Sequence, residues 1–157
     1  MPIKPEISLA QKYILQGVFV ISTAHNGKVN ALTAAWVTRA SFVPPLITVS
    51  IGKARYSHHM IMESGVFAVN VLGPEHIETG KHFGLKTGAK TNKFENIEYN
   101  TKVTGSPILK DCISWMDCKV ASWVDAGDHT IFVGEVLDGG VVKEGKPLIY
   151  ERDTFYK

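Results

Sequence analysis

The chain has 157 residues, enough for one core that buries roughly two thirds of its unfolded surface and too few for two ordinary domains. Hydrophobic residues at 45%, charged ones at 20% and 17 bases against 15 acids, a formal charge of +2, are globular values that give no electrostatic case for nucleic acid or an anionic membrane. No apolar run reaches the roughly 18 residues of a membrane span, and MPIKPEISLAQKY has no basic stretch leading into an apolar one, so a cytoplasmic protein with one domain over residues 1–157 is expected.

GVFVISTAH, residues 17–25, is β-branched and aromatic, and Asn26-Gly27 suits a tight hairpin turn. The chain returns as VNALTAAWVTRASF, so residues 18–38 read as one hairpin. After Pro44-Pro45, LITVSIG (46–52) has the length of a buried third strand. ARYSHHMIMES (54–64) switches to helical spacing, with Gly65 as its stop, and GVFAVNVLG (65–73) is strand again. Pro74 opens a short helix in PEHIETGKHFG, where proline is tolerated in the first turn. LKTGAKTNKFENIEY then reads as a long basic loop, of a length that is usually functional or mobile. From Cys112 to Val142 two β-rich runs flank a turn at VDAGD, and the tail KPLIYERDTFYK holds two more short strand candidates. Six or seven strands joined by hairpins, with two short helices, point to an antiparallel barrel.

Familiar catalytic signatures are missing. His58 and His59 are adjacent and point apart on a helix, His76 and His82 share no helical face, and no HExxH or CxxC accompanies them, so no dedicated metal site is expected. Cys112 and Cys118 lie within one strand-like run, about 20 Å apart if extended, too far for a disulfide, and read as two buried thiols. GxSxG, GxGxxG and GxxxxGK[ST] are absent, so any nucleotide must be held in another way.

Phosphate chemistry is nonetheless available. Arg55 and Ser57 stand where strand passes into helix, and Thr87, Gly88, Lys90 and Lys93 decorate the long loop. A helix N-terminus, a guanidinium fork and lysine charges would suit a phosphate monoester, although these residues alone fit a solvated basic loop better. In NALTAAW, the small Ala31, Ala34 and Ala35 would let a planar ligand approach the backbone. Asn30 and Thr33 offer polar atoms, and Trp36 an indole.

NALTAAWVTRASFVPPLITVSIGKARYSHHMI, followed by GDHTIFVGEV and PLIYERDTFY, resembles the flavin reductase-like family of FMN-binding split barrels, which includes flavoredoxins. The likeness runs in order from about Gly17 to Tyr156. It implies a mainly β fold, an antiparallel Greek-key split β-barrel with short flanking helices, and a homodimer with FMN near the subunit interface. By position, Asn30, Thr33 and Trp36 would meet the flavin ring or ribityl chain, beside Ala31, with Ser50 and Ile51 lining it by backbone. Arg55 and Ser57 would take the phosphate, with Lys93 and Lys90 helping. His129, in the GDH turn, would lie near the flavin and the nicotinamide; read alone, it could merely cap the hairpin. Where many members carry serine and arginine, this loop has Thr87 and Lys90, and lysine gives up bidentate phosphate recognition.

The activity so implied is an NAD(P)H-dependent flavin reductase, passing hydride from NADH or NADPH to flavin by stacking and proximity, without a protein nucleophile. A flavoredoxin-type electron carrier fed by a redox protein partner needs the same cradle. A barrel without a redox role is the third reading, and NALTAAW together with Arg55 argues against it.

Overall fold

The computed structural model describes residues 2–155, so Tyr156 lies outside the described residues. Pro5 opens α1 (Pro5–Gln11), a helix none of whose residues is buried. Asn26 (φ 49°) and Gly27 (φ 77°) turn the chain between β1 (Phe19–His25) and β2 (Lys28–Ala34), which pair antiparallel throughout. Positive φ at both central residues gives the turn the twist that flanking strands need. β2 ends at Ala34, however, and the expected single return strand is broken at Ala35-Trp36. β3 (Val37–Ser41) leaves β1 and pairs with β4 (Leu46–Gly52).

Arg55 leads into α2 (Tyr56–Ser64), closed by Gly65 in the left-handed region at φ 69°, where glycine carries no Cβ penalty. β5 (Val66–Val71) follows, then a 3-10 turn over Pro74–His76 that runs into α3 (Ile77–Gly84). The long basic loop comes next, with a small ladder of β6 (Tyr99–Asn100) and β7 (Ile108–Leu109) near its end. β8 (Ser114–Ala126) and β9 (His129–Val141) form the long second hairpin, tighter than expected because both strands continue up to Gly127-Asp128. The tail differs from its strand reading. Ile149 makes only one bridge, to Gly17, and Arg152–Phe155 coils into α4.

The strands other than β6 and β7 form one antiparallel sheet in the order β2-β1-β5-β8-β9-β4-β3. Leu32 of β2, at one edge, shares a buried cluster with Ile47, Val49 and Ile51 of β4, next to the other edge, and with Ile21, Phe67, Val69 and Phe132. Side chains from distant strands can meet only if the sheet curls. Ile61 of α2 joins the same cluster, so the helix plugs the curl. A second cluster covers the outer face, where Phe83 of α3, Phe94 and Phe155 pack on Val20 and Leu72. With both faces covered, β1 buries four consecutive residues, and simple alternation disappears from its sequence. Cys118 belongs to the first cluster and Cys112, which precedes β8, to the second. Both thiols are free, and burial pushes them up to about 12 and about 11.

Candidate functional site

The curled sheet leaves a seam where the chain crosses from β2 to β3. A cavity of about 1150 Å³ opens there, lined by Thr33 and Ala34 of β2, Trp36, Ser50 of β4, Arg55 and His129. Most small-molecule pockets occupy about 300–1000 Å³, so this space exceeds that of an ordinary single-ligand site. One end is aromatic. Trp36 stays 52% exposed, and its ring lies 4.6 Å from that of His129, tilted by 35°. The hairpin turn presents His129 at the first position of β9, opposite Gly52. His129 donates from Nδ1 to Asp128 Oδ1 at 2.6 Å, and this hydrogen bond holds the Asp128 carboxyl below its ordinary value.

α2 braces that end from behind. His58, in its first turn, lies with Nε2 2.7 Å from the hydroxyl of buried Thr130, the residue after His129. Burial lowers the His58 pKa, with the charge of Lys53 and the nearby His59 acting in the same direction.

Another part of the wall is polar. Arg55 and Ala54 also line an adjoining pocket of about 150 Å³, shared with Asn30, Ser57 and Lys93. Asn30 donates from Nδ2 to Ser57 Oγ at 2.7 Å. The backbone of Gly88 lies so close to Asn30 that any Cβ there would strike its amide, which is how the loop comes to rest on β2. Lys93 is only 3% exposed, and its ammonium donates to the carbonyls of Ala31 at 2.8 Å and Phe83 at 2.9 Å. Burial, with help from the Arg55 charge, brings its pKa down to about 8. Among the described residues, no carboxylate lies within ion-pair distance of Lys93 or Arg55. Among the described residues Arg55 donates only to the Gly84 carbonyl, at 3.4 Å, and α2 begins beside it with no side-chain cap. Its first amides therefore add partial positive charge to the same pocket.

The residues named from the sequence divide accordingly. Thr33, Trp36, Ser50, Arg55 and His129 line the large cavity; Asn30, Arg55, Ser57 and Lys93 line the small one. Thr33 donates to the Gly80 carbonyl at 2.6 Å, tying α3 to β2. Ala31 and Ile51 are buried in the two cores and line neither cavity; Ala31 contributes only the carbonyl that holds Lys93, and the expected backbone lining by Ile51 falls instead to its neighbours Ser50 and Gly52. Lys90 is exposed and lines neither cavity. Lys86 and Thr87 line the small pocket instead. Thr87 is one of the polar loop residues that the sequence singles out. Lys86 is not, and only its place four residues after His82 distinguishes it from the other lysines.

Across residues 12–157 the chain matches the model of the flavin reductase like domain. It belongs to that family. It is 32% identical over 139 residues to a ferric-chelate reductase (NAD(P)H) of Archaeoglobus fulgidus, covering 87% of this chain and 82% of that protein. Flavin reductase PheA2 in its native state superposes with a TM-score of 0.81 at 31% identity, covering 94% of each chain. An FMN-binding protein from Thermus thermophilus with bound p-hydroxybenzaldehyde gives a TM-score of 0.78 at 25% identity, over 82% of this chain and 73% of that one. The family match and these neighbours agree with the split-barrel reading of the curled sheet. Among the described residues, no helix is long and apolar enough to cross a membrane.

Proposed function

We propose that this domain is an FMN-binding oxidoreductase that takes reducing equivalents from NADH or NADPH, an NAD(P)H:flavin reductase. The observation that carries the reading is Lys93, a buried ammonium with carbonyl partners, no carboxylate, and Arg55 across a small pocket. Burying a charge without a counter-charge is costly, and a phosphate would supply the missing anion. The donor set fits the 5′-phosphate of FMN: two cations, the Ser57 hydroxyl, the Asn30 amide and the open amides of α2. The adjoining cavity has room for a ring system and a second planar ligand, with Trp36 and His129 on its wall.

Bound there, the flavin would supply the hydride-accepting chemistry, and the chain's own residues bind and orient. Lys93 and Arg55 neutralise phosphate charge, while Thr33 and Asn30 hold β2, α3 and α2 in register around the cavity. The half-exposed Trp36 offers an apolar face beside His129, whose imidazole can hydrogen-bond a nicotinamide carboxamide or balance charge on the ring. A second copy of the chain is proposed to cover the open side. Support comes from the exposure of Trp36, Trp123 and Val124, and from α1, whose residues line the cavity rim without being buried.

Titration with FMN followed by anaerobic mixing with NADH or NADPH tests this. Flavin fluorescence should quench on binding, and the flavin absorbance should bleach with a nicotinamide donor. Failure to bind FMN would refute the reading. Bleaching only by a reduced protein donor would replace the reductase with an electron carrier.

A further inference from the structure

The long loop brings one more cation to the phosphate pocket, and an unusual contact holds it there. His82 lies in the last turn of α3, with Nε2 2.6 Å from the Lys93 carbonyl. A carbonyl can only accept, so Nε2 carries the proton and Nδ1 keeps a free lone pair. Lys86 Nζ sits 3.2 Å from that Nδ1 and donates to it. One imidazole therefore links the backbone of the buried lysine to the side chain of an exposed one. Lys86 lines the small pocket together with Arg55 and Lys93, and Lys90 does not.

The three positive charges are matched to a particular kind of anion. A terminal phosphate monoester carries about −1.5 to −2 near neutral pH and three free oxygens. A phosphate inside a pyrophosphate carries about one charge and has its remaining oxygen in the ester chain. Riboflavin carries none. We infer that Lys86, seated on His82, is a specificity-determining residue that completes a dianion pocket, so that the site prefers FMN to both FAD and riboflavin. The inference rests on the flavin reading above and deepens it. His82 is the positioning residue, since it holds the ammonium at the pocket rim without itself lining the pocket.

Dissociation constants for FMN, FAD and riboflavin, measured with the full chain and its Lys86→Gln, Lys86→Arg and His82→Leu variants, test it. Thermal melting of each unliganded variant confirms that it folds. Lys86→Gln is expected to weaken FMN about five- to tenfold, the range for an exposed charge-assisted hydrogen bond, and to leave riboflavin unchanged. The preference for FMN over FAD should fall with it, and Lys86→Arg should restore part of it. His82→Leu should shift the FMN-to-riboflavin ratio in the same direction in the parent chain and have no further effect once Lys86 is Gln. Equal losses for FMN and riboflavin would mean that Lys86 merely holds the loop, and unchanged ratios would remove it from recognition; either result overturns the inference. If the parent chain bound riboflavin as tightly as FMN, the phosphate reading itself would fall. A parent that prefers FMN beside an inert Lys86→Gln would sink only the inference.

Discussion

Two polar clusters in this molecule are built from similar residues to opposite ends. Buried His76 accepts the Gly73 amide at Nδ1, 2.9 Å, and donates from Nε2 to Asp111, also at 2.9 Å. Lys143 closes the group with Glu75 at 2.9 Å and Asp111 at 3.3 Å. Each charged side chain there meets a partner of opposite charge, and the mutual contacts hold Glu75 and Asp111 below and Lys143 above their ordinary values. Around Lys93 the cations have no such partners, and burial drives the lysine pKa down instead of up. A cluster that satisfies itself holds the fold together, whereas one left short of an anion is what the proposed phosphate site requires.

Experiments can break the comparison. The largest effect belongs to Lys93→Met, expected to weaken FMN binding about a hundredfold, toward the upper end for a charge-assisted hydrogen bond in a dry site, by isothermal titration. Its unliganded melting temperature should hold or rise, because an uncompensated buried charge has been removed. A variant that melts lower yet binds FMN as before would reverse the assignment. Arg55→Ala should cost about 1.5 to 3 kcal/mol of FMN affinity, and unchanged affinity would show that the phosphate lies elsewhere. His76→Ala should do the reverse, lowering folding stability by about 2 kcal/mol through a buried cavity and lost hydrogen bonds while FMN affinity holds.

The pH dependence separates the clusters again. Folding of the unliganded chain expels the Lys93 proton between about 8 and 10.5, so its contribution to stability improves as pH rises through that window. Phosphate needs the protonated amine, so FMN affinity should fall as pH rises through about 8. Lys93→Met should abolish that fall, and a persistent fall in the variant would point to another group. The smallest effect is Lys90→Ala, expected within twofold of the parent for FMN, since Lys90 lines neither cavity.

How legible each part was depended on the range of the interactions behind it. The Asn26-Gly27 hairpin and the Gly65 helix stop are set by neighbouring backbone angles, and both stand as read. The break at Ala35-Trp36 carries no proline or glycine; it arises because β3 finds its partner in β4 across the chain, which local pattern cannot reveal. Tyr150, Thr154 and Phe155 look β-prone in a short window, yet Phe155 coils into α4 to pack against Gly80 of α3. Cavity-lining residues in strands or directly beside them, such as Ser50, His129 and Trp36 between β2 and β3, follow from motif order. Among the lysines the resemblance singled out Lys93 but also Lys90, and it passed over Lys86, because a buried Lys93, a seated Lys86 and a solvated Lys90 look alike in LKTGAKTNKF.

The hydrogen bond between His58 and Thr130 gives α2 a second office. Its first turn lines the small pocket with Tyr56 and Ser57 and, through that bond, also fixes where β9 begins. One turn of helix thus fastens two walls of the cavity, since Arg55 and the ring of His129 both come within about 4 Å of the same point beside Gly52. Whatever shifts that turn moves the guanidinium and the start of β9 together.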